Sequence, residues 1–145
     1  MKKKLLISAC LTGENCKYNG GNNYTAAVEL LKERYELIPV CPEQDGGLPT
    51  PRESSERLGD KVVSKSGNDV TAQFQRGALH ALDTARENGC TRALLKERSP
   101  SCGCGAIYDG SFTGTVIAGD GVTAALLKSH GITVYGESRI QELLR

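Results

Sequence analysis

Hydrophobic and polar positions divide the chain into two kinds of segment. Short apolar runs of roughly 4–8 residues indicate buried strands, whereas longer segments with apolar residues three and four apart indicate amphipathic helices. In the first such helix, Ala27, Leu30 and Leu31 form the predicted apolar side. The pattern predicts strands at residues 4–9, 36–40, 91–96 and 132–136, and helices at residues 24–35, 71–88, 121–131 and 138–145.

The alternation of strands and helices defines the fold class. A strand followed by a helix and a second strand indicates a right-handed crossover between parallel neighbours, so helices cover both faces of the sheet. We therefore predict a single domain over residues 1–145. Its predicted fold is a three-layer, Rossmann-like α/β fold, with a mostly parallel sheet of about four main strands.

Three segments do not follow this alternation. Residues 41–56 are so rich in Pro and Gly that no regular structure is predicted for them. Residues 60–71 resemble a small hairpin with SGND as its turn, and residues 97–121 are irregular apart from a hairpin-like YDGSF.

The first ten residues, MKKKLLISAC, fit two interpretations. Lysines, a short apolar run and a small residue before a cysteine resemble the start of a bacterial lipoprotein. A secretory signal needs roughly 7–15 apolar residues, and only residues 5–9 are available before Cys10. We therefore interpret the segment as a strand that leads into a loop beginning with Cys10, and we expect a cytoplasmic protein.

Composition and charge narrow the classes of partner. The chain has 18 Lys and Arg against 17 Asp and Glu, a formal net charge of +1, so no broad electropositive surface for nucleic acid is indicated. No apolar run approaches the roughly 20 residues of a membrane-spanning helix. We expect a small-molecule substrate, and neither a nucleic-acid partner nor a membrane.

Six cysteines are the unusual feature of the composition, whereas the two histidines, His80 and His130, are predicted to be structural. In a reducing cytosol several cysteines indicate metal binding or catalysis. Cys10 follows the first predicted strand of the sheet, Cys41 the second and Cys102 the third. Ligands of open α/β sheets bind outside the carboxyl ends of the strands, so we expect these three thiols to share one site.

Three converging thiolates suit a soft metal centre. Structural zinc normally has four protein ligands, and Cys102 and Cys104 are the only close pair. An iron–sulfur cubane with three thiolate ligands keeps one iron open for a substrate atom. Any cysteine can also simply pack in the core. We expect packing for Cys90, whereas Cys16 and Cys104 could line the site, replace a ligand or do neither.

Polar residues accompany the cysteines in these loops. Glu43 lies two residues after Cys41, and a carboxylate beside a partly desolvated site is a candidate general base. Ser99 and Ser101 shortly precede the third cysteine. We expect all three polar side chains to lie within reach of a bound substrate.

Arg52, in the segment PTPR, has two interpretations. Its guanidinium could hold a substrate oxygen. It could equally hold the loop by pairing with Glu53 or Glu56, since ion pairs of this kind are common.

Five ordered segments, which span nearly the whole chain, resemble the bacterial thiouracil desulfidase (TudS-like) family. They are SACLTGENCKYNGG, VCPEQDGGLPTPRESSE, LLKERSPSCG, IYDGSFTG and GDGVTAALL, of which VCPE and SPSCG are the most specific. The resemblance implies a cytosolic enzyme with a [4Fe-4S] cluster on three cysteines. Its open iron takes the sulfur of a thiolated pyrimidine such as thiouracil, water replaces that sulfur to give uracil, and hydrosulfide is released.

The resemblance also implies roles for particular residues. The three cluster ligands fall on Cys10, Cys41 and Cys102, the acid/base glutamate on Glu43, and the assisting serine on Ser101.

Other classes of protein use similar residues. A non-catalytic metal or redox sensor predicts a fourth ligand, such as Cys104 or Cys16, and no concave pocket. Cys104 departs from the family pattern, which keeps the choice of third ligand open. A nucleotide-binding protein is disfavoured because CLTGENCKYNGG, and not G-x-G-x-x-G, follows the first strand. A persulfide carrier needs one reactive cysteine and no iron.

Overall fold

The computed structural model describes residues 2–145 and contains eight strands and five α-helices. The strands are β1 (Lys3–Ser8), β2 (Tyr35–Val40), β3 (Ser55–Leu58), β4 (Lys61–Ser64), β5 (Arg92–Leu95), β6 (Ala106–Tyr108), β7 (Val116–Ala118) and β8 (Thr133–Gly136). The helices are α1 (Ala27–Leu31), α2 (Pro42–Asp45), α3 (Thr71–Glu87), α4 (Val122–Ser129) and α5 (Ile140–Leu144). No helix among residues 2–145 is both long enough and apolar enough to cross a membrane.

Four strands form one parallel sheet in the order β2-β1-β5-β8. Helices cover both of its faces because successive side chains of a strand point to opposite sides. In β1, Leu6 packs in a core cluster with residues of α3 and α4, whereas Leu5 and Ile7 pack with residues of α1 and α5. The predicted three-layer α/β fold is therefore confirmed.

The strand order determines where a ligand can bind. The chain leaves β1 for β2 on one side, and then crosses back over β1 to add β5 and β8 on the other side. Such a reversal opens a crevice at the carboxyl ends of the strands. The segments that follow β1, β2 and β5 therefore emerge around the same crevice.

The segments between the sheet strands differ from the sequence prediction in two places. Helix α1 is shorter than predicted, and Val28 and Leu31 form its buried side, whereas Leu30 is exposed. Residues 41–56 are not wholly irregular, since α2 begins directly after Cys41 with Pro42 in its first turn. Proline favours this position because the first helical N–H groups have no partner in the helix.

The small hairpin predicted with SGND as its turn is present, and another hairpin precedes it. Strand β3 pairs antiparallel with β4 from Leu58 to Lys61, so this additional turn lies at residues 59–60. Gly59 has a φ of +61°, a left-handed conformation that suits a two-residue hairpin loop. The SGND segment turns the chain back along β4, where Val63 forms an antiparallel bridge with Asp69 and the Val70 N–H donates to the carbonyl oxygen of Val62 at 2.9 Å. The second predicted hairpin is present as β6 and β7, joined by residues 109–115.

Side chains predicted to be structural lie away from the crevice. Cys90 is buried in the core cluster on the α3 and α4 side of the sheet. At the surface, Nδ1 of His80 lies 3.3 Å from Oδ2 of Asp45, and Nδ1 of His130 lies 2.8 Å from Nη2 of Arg86.

Helices α2 and α3 approach each other so closely that two glycines are required. A Cβ atom at Gly77 would lie 1.8 Å from the carbonyl oxygen of Pro42, and one at Gly46 would lie 1.9 Å from that of Gln73. Gly77 therefore remains in a helix interior although glycine costs about 1 kcal/mol there relative to alanine. The contact fixes the turn that carries Cys41.

We expect Gly77→Ala to lower the free energy of unfolding by about 1–3 kcal/mol, the usual cost of overpacking, in spite of alanine's better helix propensity. Denaturant unfolding measures the change. Leu79→Ala, at a position of the same helix that is 54% exposed, is the control and should have little effect. Wild-type stability of Gly77→Ala would contradict the close packing of α2 on α3.

Candidate active site

A cavity of about 580 Å³ lies at the carboxyl edge of the sheet. Its wall includes Cys10, Cys41 and Cys102, which follow β1, β2 and β5, and it also includes Cys16. All six cysteines of the chain are free thiols. The structure thus brings together the three thiols that the sequence placed at one edge, while their role as metal ligands stays a prediction.

Cys10 lies in a single 3-10 turn, Ala9–Thr12, that continues directly from β1. Its sulfur accepts a hydrogen bond from Nδ2 of Asn23 at 3.4 Å. Burial raises the pKa of the Cys10 thiol, and the bond from Asn23 and the charge of Lys96 oppose that rise. These two groups therefore favour the thiolate form that binds a metal.

Cys41 caps the start of α2 and has the opposite pKa shift. The pKa of Cys41 is lowered mainly because the Cys16 thiol donates a hydrogen bond to the Cys41 sulfur. A hydrogen bond from the Gln44 N–H and the positive charge of Arg52 lower it further. The same thiol–thiol bond, together with burial, raises the pKa of Cys16. Cys16 is therefore the donor and Cys41 the thiolate of the pair.

Cys102 lies deepest of the three predicted ligands. Burial raises the pKa of Cys102 to about 12, and a hydrogen bond from Ser8 opposes that rise. The neighbouring sulfurs of Cys10 and Cys41 also disfavour a negative charge there. Three thiolates can therefore coexist in this cavity only when a positively charged group neutralises them.

The donor set fits an iron–sulfur cluster. Within residues 2–145 no three His, Cys, Asp or Glu side chains lie close enough to share a single metal ion. The three thiols instead come from three separate loops around one cavity. Soft thiolates in such an arrangement suit a group of several iron and sulfide atoms.

The Cys104 thiol lies outside the lining of this cavity and donates to the carbonyl oxygen of Val134 at 3.5 Å. Of the two cysteines left open by the sequence, only Cys16 faces the site.

Arg52 holds Glu43 at the cavity wall. Nε of Arg52 lies 3.0 Å from Oε1 of Glu43, and the two side chains are 6% and 18% exposed. The remaining contacts of the guanidinium are the carbonyl oxygens of Cys16 at 2.9 Å and Pro49 at 3.2 Å, and Oγ1 of Thr50 at 2.8 Å. All of these contacts are with protein groups.

The expected pairing of Arg52 with Glu53 or Glu56 was therefore wrong. Glu53 accepts a hydrogen bond from a serine hydroxyl, and Glu56 is buried beneath the loop of residues 109–115. The partner is Glu43, because α2 turns the chain back so that residues nine positions apart meet.

The two candidate serines have different environments. Ser99 lines the cavity, and its Oγ accepts hydrogen bonds from the backbone N–H groups of Ser101 at 3.1 Å and Cys102 at 3.0 Å. Ser101 is 0% exposed, and its Oγ lies 2.7 Å from Oγ1 of Thr123 in α4. Only Ser99 is among the residues that line the cavity.

Lys96 is a cavity residue that the sequence reasoning missed. Its Nζ lies 3.3 Å from Oε2 of Glu137 and 3.0 Å from the carbonyl oxygen of Glu97. A charged residue directly after a buried apolar strand could have indicated its place at the same edge as the thiols. Asn23, which contacts Cys10 from 13 positions away, has no such signal in the sequence.

The roof of the cavity comes from the second hairpin. Tyr108 and Phe112 line it, and Phe112 has a φ of +59°, which is uncommon for a bulky residue. Oε1 of Glu56 accepts hydrogen bonds from the N–H groups of Gly110 at 3.0 Å and Phe112 at 3.1 Å. This buried carboxylate therefore holds the loop in its conformation.

A parallel α/β sheet with three thiols and a carboxylate around one cavity at its carboxyl edge defines an α/β protein with a candidate thiolate metal site. A family model described as 2-thiouracil desulfurase matches residues 5–139. The chain belongs to that family.

Two further comparisons find proteins similar over nearly the whole chain, one of which is described by its activity. A Bacillus subtilis (strain 168) protein described as "Uncharacterized protein YbbK" is 41% identical over 150 residues, covering 97% of this chain and 99% of the relative. A solved structure described as the [4Fe-4S]-dependent thiouracil desulfidase TudS is 47% identical with a TM-score of 0.92, covering 98% of this chain and 95% of the other. The resemblance, the enzyme class and the cofactor type predicted from the sequence are confirmed.

We expect Arg52→Gln to lower the free energy of unfolding by about 3 kcal/mol, because it leaves a largely buried carboxylate without its partner. Arg52→Lys should recover only part of this loss, since an ammonium lacks the planar fork that reaches several acceptors. Denaturant unfolding measures both variants. In the control, Lys32→Gln removes the exposed ion pair with Glu29 and should change stability little. An Arg52→Gln protein as stable as this control would rule out a structural role for the pair.

Proposed function

We propose that this protein exchanges the sulfur of a thiolated pyrimidine, such as thiouracil, for oxygen from water. The products are uracil and hydrosulfide, and the reaction takes place at a [4Fe-4S] cluster held by Cys10, Cys41 and Cys102. The observation that carries the proposal is the convergence of these three thiols on one cavity that Glu43 and Ser99 also line. Membership of the 2-thiouracil desulfurase family supports it.

The ligand set explains how a thione would be selected. When bound, the cluster supplies an iron without a cysteine ligand, a soft Lewis acid that favours thione sulfur over harder oxygen donors. The hydrogen bonds from Asn23 to Cys10 and from Cys16 to Cys41 favour the thiolate forms of two of the proposed ligands. Burial opposes this effect at Cys10 and Cys102, so the positive charge of the bound cluster must complete the deprotonation that cluster binding requires.

Glu43 is the proposed general base. Arg52 fixes Oε1 of the carboxylate, whereas Oε2 accepts no hydrogen bond from residues 2–145. This free oxygen can take a proton from a water molecule in the cavity as that water attacks the ring carbon. A carboxylate held at one oxygen and free at the other is positioned for proton transfer without being locked to the wall.

Ser99 is the proposed hydrogen-bond donor to the substrate, in place of Ser101. A hydroxyl can accept two hydrogen bonds and donate one. Both acceptor positions of Ser99 are used by backbone N–H groups, so its single proton is left for the cavity. Ser101 is bonded to Thr123 and instead holds its loop against α4. We therefore assign Ser101 a positioning role.

The aromatic lining and the volume of the cavity favour a small substrate. Tyr108 and Phe112 contribute aromatic side chains to the cavity wall, against which a planar ring can pack. The alternative of a non-catalytic sensor predicts no concave pocket, so the cavity of about 580 Å³ favours the enzyme.

We further propose that the whole chain is one domain and works in the cytoplasm, where thiols stay reduced.

Glu43→Gln should keep the cluster and lower turnover of thiouracil by roughly a hundredfold or more, the usual contribution of a positioned acid or base. The amide preserves the shape of the side chain but cannot take the proton. Anaerobic release of uracil and sulfide measures turnover, and iron is counted on the same samples.

Two variants control that experiment. Glu53→Gln, next to Arg52 but bonded elsewhere, should behave as wild type. Cys102→Ser should lose iron and activity together, because a neutral hydroxyl is a poor ligand for iron. Wild-type turnover by Glu43→Gln would remove Glu43 from the mechanism.

Ser99→Ala should lower turnover per loaded cluster roughly a hundredfold, as the loss of one donor to developing charge does. Ser101→Ala should lower the melting temperature, because the buried Thr123 hydroxyl loses its partner, and it should retain turnover per loaded cluster. Kinetics normalised to iron content separate the two effects. The opposite result, with activity lost only in Ser101→Ala, would restore the role that the family resemblance implied for Ser101.

A further inference from the structure

Cys16 is a thiol of the cavity that the proposed reaction does not use. It is only 4% exposed, although it lines the cavity wall. Its thiol donates a hydrogen bond to the sulfur of Cys41. The Cys41 sulfur also lies 3.8 Å from the carbonyl oxygen of Cys16. The side chain of Cys41 and the residue Cys16, from different loops, therefore lie next to each other at the cavity wall.

Backbone contacts hold this pair of thiols together. Nη2 of Arg52 binds the carbonyl oxygen of Cys16 at 2.9 Å, and the Arg52 N–H binds that of Tyr18 at 2.7 Å. On the other side, Cys41 precedes the α2 turn that packs against Gly77 without any space between them. These contacts hold the two loops next to each other.

The other thiols of the cavity are placed differently. Among residues 2–145 no hydrogen bond joins Cys10 or Cys102 to Cys41, and their sulfurs bond to Asn23 and Ser8 respectively. Within residues 2–145, the cavity cysteine whose hydrogen-bonding distance to the Cys41 sulfur is observed is therefore Cys16.

We propose that Cys16 is the disulfide partner of Cys41 when the cluster is lost, and that this bond keeps Cys41 recoverable. The inference rests on the proposed role of Cys41 as a cluster ligand, because bound iron occupies its sulfur in the loaded protein. It does not depend on which substrate the enzyme desulfurates. The oxidant it requires is a peroxide, which is small enough to enter the cavity.

The reaction has two balanced steps. The Cys41 thiolate attacks one peroxide oxygen, the O–O bond breaks, and Cys41 sulfenic acid forms with release of hydroxide. The Cys16 sulfur then attacks the Cys41 sulfur, the S–S bond forms, and the S–O bond breaks. The hydroxide that leaves takes the Cys16 proton as water. Hydrogen peroxide accepts the two electrons that the two thiols lose.

The consequence is protection against irreversible oxidation. A sulfenic acid without a thiol partner proceeds to sulfinic and sulfonic acids, which thiol reductants do not reverse. A disulfide is reduced by a dithiol and returns both thiols. Cys16 therefore decides whether the site can be loaded with a cluster again.

The first test maps the disulfide. The iron-loaded protein is treated with hydrogen peroxide without other oxidants, unfolded in the presence of an alkylating agent, and digested for mass spectrometry. We expect a peptide pair linked through Cys16 and Cys41, with Cys90 and Cys104 alkylated. Linkage of Cys41 to Cys10 or Cys102, or sulfonic acid at Cys41 with no linked pair, would overturn the proposal.

The second test measures recovery. After peroxide, each sample receives dithiothreitol, iron and sulfide, and its iron content is compared with that of the same variant before treatment. Wild type should regain most of its iron, whereas Cys16→Ser, which retains a hydroxyl donor, should lose most of that recovery. Cys90→Ser is the matched control and should recover as wild type. Equal recovery by Cys16→Ser and wild type would overturn the proposal.

Uracil release by untreated, iron-loaded wild type is measured in parallel. Absence of turnover there counts against the proposed function, whereas the disulfide map and the recovery ratio decide the pairing of Cys16 and Cys41.

Discussion

Parallel pairing of β1 with both of its neighbours is the constraint on which the site depends. Strand β1 pairs with β2 along its whole length and with β5 on its opposite side. Parallel strands end at one edge of a sheet, so the crossovers must carry each next segment back to the same starting side. Cys10, Cys41 and Cys102 meet for this reason although long stretches of sequence separate them.

Two close contacts between loops and helices hold one side of the cavity in place. Gly77 allows α3 to touch the carbonyl oxygen of Pro42, and Arg52 ties the following loop to the segment that contains Cys16. The Glu43 carboxylate lies between these two contacts. The proposed acid/base group and a proposed ligand are thus positioned by the same turn, which limits their relative movement.

The sequence pattern was sufficient for the sheet, because β1, β5 and β8 are short apolar runs and α3 has clear helical spacing. It could not predict α2, since a single turn of helix has no periodicity to detect. Neighbouring charges suggested Glu53 or Glu56 for Arg52, whereas the partner depends on a turn that the pattern does not show. The sequence does not distinguish the roles of Ser99 and Ser101. Only the path of the backbone shows which hydroxyl faces the cavity.

The roof of the cavity has a separate origin from its floor. Residues 109–115 are held by the carboxylate of Glu56, which belongs to the β3 and β4 hairpin, whereas the thiols come directly from the parallel sheet. Changes of length or bulk in this loop therefore alter the shape of the cavity without moving the strands that deliver the thiols. Selection among ligands and the desulfidase chemistry can consequently evolve, or be redesigned, on different parts of the same chain.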